Sequence, residues 1–120
     1  MGLQTFIEVS FQKEGVHVYP DALINPKLKD VAYLGYLHRH MFHFYVKMEV
    51  FHLDRDVEFI MLKRELEKMY GDGALALDYK SCEMIADELL VYLMMQYPFR
   101  DMTIRVYEDD ENGAVLEYTK

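Results

Sequence analysis

Polar and apolar residues alternate from about Gln4 to Lys13, with Phe6, Val9 and Phe11 among polar neighbours, which predicts a first strand. The same alternation returns from His40 to His52 over β-branched and aromatic residues. Phe42, Phe44, Val46, Met48 and Val50 share one face with His40, and Met41, His43, Tyr45, Lys47 and Glu49 share the other. That is the pattern of a strand packed on one side and polar on its second. The period then changes. Phe59, Leu62, Leu66 and Met69 recur at three- and four-residue spacing, so a helix is expected from Val57, capped by Asp56 and ended by Gly71 and Gly73. Ser81 is expected to cap a second helix running to about Gln96, with Pro98 stopping it. This helix is apolar nearly all round, which predicts cover on two sides.

Met102 to Asp109 reads as a third strand and Ala114 to Tyr118 as a fourth, joined at Asn112-Gly113, a dipeptide that tolerates the positive φ of a tight hairpin. A two-residue turn there would set Glu108 opposite Glu117. Like charges so placed need relief from Arg105, a shared proton or ligand N–H donors. Pro20 and Asn25-Pro26 mark a long connection in which no regular structure is expected. The expected fold class is α+β: strand, strand, helix, helix, strand, strand, with a four-stranded antiparallel sheet and two helices on one face, over one domain spanning residues 1–120. Such a sheet has two free edges and an open face bearing tyrosines, which predicts a homo-oligomer.

Composition narrows the partners. The 120 residues carry a formal net charge of −8, and Lys63, Arg64 and Lys68 are interleaved with Glu65 and Glu67, so a nucleic-acid partner is not expected. The most apolar run, Met84 to Met95, contains Asp87 and Glu88 and is too short to span a bilayer, so no membrane role is expected. One cysteine, Cys82, excludes an internal disulfide framework and fits a reducing compartment; a cytoplasmic location is expected.

The candidate chemistry lies in the histidines. His38 and His40, at i and i+2 on an extended chain, point to the same side. With His17 from a neighbouring segment, three imidazoles can converge on one metal, leaving an open coordination position. Zn2+ suits neutral imidazole nitrogens. On the same reading His43 and His52 point elsewhere. Cys82 reads as a small buried residue, and Glu83 as an acid favoured in the first turn of its helix.

These residues fall in an order that resembles the tunnelling-fold family of 6-pyruvoyl- and 6-carboxy-tetrahydropterin synthases. His17 follows the first strand, and His38-Arg39-His40 resembles the family's His-Gly-His. Glu58-Phe59 with Leu62-Lys63 resembles the opening of its first helix, and Ser81-Cys82-Glu83 the opening of its second. Glu108 sits where the family keeps the acid that grips a pterin ring. The resemblance implies a zinc site at His17, His38 and His40, and a pterin or purine-like ligand contacted by Glu108, Glu83 and Ser81. It also implies sheets closing into a barrel as a trimer or hexamer, with lyase-type chemistry. The chain departs from the family at its proton-transfer groups. Tyr33 to Tyr36 holds no cysteine, Gly71 to Tyr79 no histidine, and Arg39 replaces a glycine. No catalytic residue is therefore assigned. The expected function is a zinc-dependent pterin-synthase-like protein, with a non-catalytic oligomeric binder as the alternative.

Overall fold

The ladder between the first two strands organises the molecule. In the computed structural model, which describes residues 2–120, β1 (Thr5–His17) and β2 (His38–Val50) pair antiparallel without interruption from Thr5↔Val50 to His17↔His38. After β2 come α1 (Phe59–Tyr70), β3 (Leu75–Ala76), α2 (Cys82–Gln96), β4 (Met102–Glu108) and β5 (Asn112–Tyr118). The sheet order is β3-β1-β2-β4-β5. The class is α+β, as expected, but the sheet has five strands rather than four. The fifth is the short β3, which runs parallel to β1 at Gly15 and Val16. Two residues carry no alternation long enough to read from sequence.

The alternation places Val9 and Phe11 of β1, Phe42, Phe44, Val46 and Met48 of β2, and Ile104 and Val106 of β4 on one face. Leu62 and Leu66 of α1 and Ile85, Ala86, Leu89 and Leu93 of α2 close over that face, so one layer of helices covers one layer of sheet. Phe11 stacks on Phe44 with centroids 4.7 Å apart. Lys13, also on this face, reaches the end of α1, where its ammonium donates to the Gly71 carbonyl at 2.6 Å. Cover on two sides of α2 is not what the chain itself provides. Met84, Val91 and Met95 on its outer side are 46%, 48% and 75% exposed.

Three local expectations are corrected. The N-cap of α1 is Glu58, whose carboxylate accepts from the amides of Ile60 and Met61. Asp56 instead accepts from the Phe51 amide and pairs with Arg100 at 3.0 Å, so tertiary partners claim it. The connection after β1 is ordered as 3-10 turns at Pro20–Leu23 and Pro26–Gly35, the second started by Asn25 accepting from the Lys27 amide. The hairpin turns not at Asn112-Gly113 but at Asp109 and Asp110, both left-handed with φ of 53° and 56°. Glu108 therefore faces Asn112, and Glu117 faces Thr103, so the expected Glu108–Glu117 opposition does not occur.

Burial decides that register. The observed pairs Ile104↔Leu116 and Val106↔Ala114 bring apolar residues together on the core face. Pairing Glu108 with Glu117 would shift the ladder by an odd number and turn Leu116 outward. Gly113 is needed for a different reason than a turn: a Cβ there would run into the Val106 carbonyl oxygen and come within 2.5 Å of the Tyr107 ring.

At the far end of β2, Glu49 is 5% exposed on the face away from the helices. It accepts from the Asp101 amide at 3.0 Å and from the Lys120 ammonium at 2.8 Å. These donors hold Glu49 below its ordinary value, and the Phe51 amide, followed by Arg100, does the same for Asp56. Depressed folded values mean stabilisation present above the ordinary carboxylate range and lost as pH falls through the lowered ones.

The turn assignment is testable by urea denaturation. Gly113→Ala is expected to destabilise by about 1–3 kcal/mol through overpacking. Asn112→Ala, at an exposed position outside the turn, is expected to change stability by less than about 0.5 kcal/mol. A large loss for Asn112→Ala would contradict the Asp109–Asp110 turn.

Candidate metal centre

The apolar face of the sheet ends in imidazoles. The β1–β2 register sets His17 opposite His38 and Gly15 opposite His40, and all face the helix side. Ring centroids of His17 and His38 are 4.6 Å apart, those of His38 and His40 4.9 Å, and those of His17 and His40 5.3 Å. Phe42, the next core residue along β2, meets His17 and His40 edge-on at 5.3 and 5.7 Å, flooring the cluster with an apolar ring. Gly15 leaves room for this floor, since a Cβ there would fall 2.9 Å from the Phe42 ring. The sequence expectation that His17, His38 and His40 gather is met. One nitrogen from each lies within 4.8 Å of the others, close enough for the three to hold a metal ion.

The outer nitrogens are all committed. Nδ1 of His17 lies 2.8 Å from the Lys80 carbonyl, Nδ1 of His38 2.8 Å from the Tyr36 carbonyl, and Nδ1 of His40 2.7 Å from an Asp109 carboxylate oxygen. Carbonyl and carboxylate oxygens only accept, so each Nδ1 carries a proton and each neutral ring keeps its lone pair on Nε2. That arrangement orients ligands in metal sites. Nε2 of His17 and of His40 are buried and have no hydrogen-bond partner, in a protein interior where polar atoms are nearly always matched. Nitrogens without hydrogen-bond partners, gathered in one cluster, fit a cation between them.

Glu108 closes the cluster from β4. Its carboxylate lies 2.9 Å from His17 Nε2 and 3.6 Å from His40 Nε2, ion-pair distances without hydrogen-bond alignment. The close His17–Glu108 contact shifts both groups. The Glu108 carboxylate holds His17 above the ordinary imidazole value, against the burial that pulls it down, and the Lys80 carbonyl adds to the rise. His17, in turn, holds Glu108 below its ordinary value.

A cavity of about 530 Å3 opens beside the imidazoles, a size suited to a small molecule. His17, His38, Glu108 and the α2 N-terminus Ser81-Cys82-Glu83 line it, with Tyr19, Leu34, Tyr79 and Met84 as apolar wall. Five of the six sequence candidates thus border one space, and the sixth, His40, stands behind it in the imidazole cluster. Ser81 caps α2 by accepting from the Met84 amide at 3.2 Å, which leaves its hydroxyl hydrogen free. Glu83 is exposed at the rim. Cys82 is buried, and burial first, then the charges of Glu108 and Glu83, push its thiol up to about 12, so it stands there as a neutral thiol. His43 lies on the opposite face, 4.0 Å from Asp110, and His52 lies near Asp56; both stay clear of the cluster, as expected.

Sequence reading missed the acceptors behind the imidazoles. Lys80 and Tyr36 contribute only backbone carbonyls, which leave no trace in residue type. Asp109 had a weak signal, an acid directly after Glu108. Among the described residues, no helix is long and apolar enough to cross a membrane.

Because His17 is raised by Glu108, protons compete for the ligand nitrogen already above pH 6.5. In the metal-free protein the protonated His17–Glu108 contact contributes stability present below the unfolded value of about 6.5 and lost as pH rises through the raised folded one. Metal affinity is expected to climb over the same window, as measured by chelator competition between pH 6 and 8. Glu108→Gln is expected to shift that climb to lower pH; an unshifted profile would remove Glu108 as its cause. No protein-family model matches this chain, and no curated protein sequence matches it.

Proposed function

We propose that this protein is a tunnelling-fold zinc protein that takes a pterin or purine-like ligand, a member by descent of the pterin-synthase class. One observation carries the reading: a cluster of three imidazoles, with unpartnered Nε2 atoms on His17 and His40, adjoins a cavity that His17 and His38 line together with a carboxylate able to accept paired N–H donors. His17, His38 and His40 hold the ion, and the three-histidine set with an open position favours zinc of the chemically active kind. Zinc bound there supplies a Lewis acid that polarises a carbonyl or hydroxyl oxygen of the ligand's side chain. Glu108 accepts from adjacent N–H groups of an amino-oxo ring, the Ser81 hydroxyl donates to the ring, and Glu83 contacts the ligand at the rim. Tyr19, Leu34 and Tyr79 offer an apolar wall for the ring faces.

Assembly belongs to the same proposal. The outer edge of β5 is unpaired, and β3 covers β1 only at Gly15 and Val16, so each chain offers a free strand at both sides of its sheet. Edge-to-edge closure into a barrel, as a homotrimer or stacked hexamer, pairs these edges. The single cysteine, buried and free, accords with a cytoplasmic protein.

A second reading, binding without turnover, is favoured by one observation. The only thiol bordering the cavity among the described residues is protonated, and Gly71 to Tyr79 supplies no histidine to move protons. Incubation with a dihydropterin triphosphate separates the two: altered product supports an enzyme, and ligand returned unchanged after denaturation supports a binder.

Native mass spectrometry with metal analysis tests the whole. A trimer or hexamer carrying about one zinc per chain is expected, with zinc lost in a His38→Ala, His40→Ala double variant. A metal-free monomer would overturn the proposal. Glu108→Gln is expected to keep zinc at pH 8 while losing the ring ligand. Zinc loss as severe as in the histidine variant would instead make Glu108 a fourth metal ligand and close the site.

A further inference from the structure

The three imidazoles are not held alike. His17 and His38 lean on neutral backbone carbonyls, whereas His40 alone leans on a charged side chain, Asp109, at 2.7 Å. The second oxygen of that carboxylate accepts from the Met41 amide at 3.0 Å, and the Asp109 amide donates to the Met41 carbonyl at 2.8 Å. Asp109 is thus clamped to β2 through Met41, with its remaining oxygen aimed at His40. The backbone accepts a left-handed φ of 53° to make this possible. Asp tolerates that conformation better than most side chains because its short carboxylate bonds locally.

From this geometry we propose that Asp109 is the positioning residue of the metal centre, fixing the tautomer and the orientation of His40 so that its Nε2 lone pair faces the ion. The proposal rests on the metal reading above and assigns Asp109 no contact with metal or ligand. A carboxylate behind an imidazole strengthens it as a donor and holds the ring against rotation. The tight turn also joins two functions in adjacent residues: Glu108 faces the cavity while Asp109 reaches behind His40.

Asp109→Asn separates this role from a structural one. An amide presents one oxygen and one NH2, so it cannot accept from both the Met41 amide and His40 Nδ1. If the oxygen stays on Met41, the NH2 faces His40 and drives its proton to Nε2, the nitrogen the metal needs. If the amide turns over, the Met41 bond is lost instead. Asp110→Ala serves as the control. Asp110 is the other left-handed residue of the turn, with φ 56°, but its carboxylate accepts from the Tyr45 hydroxyl on the opposite face.

The experiment is zinc affinity by competition with a chromophoric chelator, with the visible spectrum of the Co2+-substituted protein as a second readout, on the intact assembly at fixed pH. Asp109→Asn is expected to weaken zinc binding by about 10–100-fold and to alter the cobalt bands. Asp110→Ala is expected to lower stability while leaving affinity and spectrum as in the wild type. In a His40→Ala background Asp109→Asn is expected to have no further effect on affinity, since it acts through that ring. Wild-type affinity and spectrum in a folded Asp109→Asn variant would overturn the proposal and leave the metal centre standing. Equal losses from Asp110→Ala would overturn it too, by reducing Asp109 to a turn residue. A wild-type protein that binds neither zinc nor cobalt would overturn the metal reading and this proposal with it.

Discussion

The β1–β2 ladder is the constraint on which everything else depends. Its register decides which residues of both strands face the helices, because side chains alternate and a slip of one residue would invert the set. With Phe11 opposite Phe44 and Val9 opposite Val46, the apolar sets coincide, and the same phase carries His17, His38 and His40 to the same face. Core and site are therefore one pattern read along its length. The hydrophobic effect specifies the phase, and the imidazoles at the end of the strands inherit it.

Why the cluster lies at an end follows from packing. The centre of the sheet is covered by α1 and α2, where Leu62, Leu66, Leu89 and Leu93 leave no space for a ligand. Beyond Phe42 the cover stops at the N-terminus of α2, and the connection from Lys80 to Ser81 passes beside His17. The cavity is the gap between the last covered core residue and the first turn of that helix. Polar side chains can sit there because every outer nitrogen meets an acceptor, two of them backbone carbonyls that regular structure leaves unpaired.

The opposite end of the sheet has another arrangement of charge. Gln4, Glu49, Asp101, Lys120, Arg100 and Asp56 form connected contacts that tie the segments at Gln4 and Lys120 and the loop before α1 to β2. There each acid has a cationic donor or a backbone amide, and the buried atom left without a hydrogen-bond partner is Arg100 Nε, a donor with no lone pair for a cation. At the histidine end Nε2 of His17 and of His40 stay unmatched. Within one sheet, only the histidine end leaves potential metal-ligating atoms unmatched.

Much of this was legible in the sequence. The alternation in β1 and β2, the helical periods of α1 and α2, the Ser81 cap and the shared side of His38 and His40 all depend on neighbours a few residues apart. His17 joined them only as a candidate from a neighbouring segment, since no local pattern fixes where that segment lies, and the tertiary geometry brings it to within ligand distance. Only the tertiary structure decided the rest. Asn112-Gly113 has the stronger local turn chemistry, yet the chain turns at Asp109-Asp110, because burying Ala114 and Leu116 against Val106 and Ile104 outweighs local preference. Glu58 displaced Asp56 as the cap because Arg100, distant in sequence, takes Asp56. The β3 pairing, the carbonyls behind His17 and His38, and Asp109 behind His40 all join residues far apart in the chain or involve backbone atoms. Local sequence can encode which face a side chain takes, but which distant group it meets is settled only when the sheet closes and its buried polar atoms find partners.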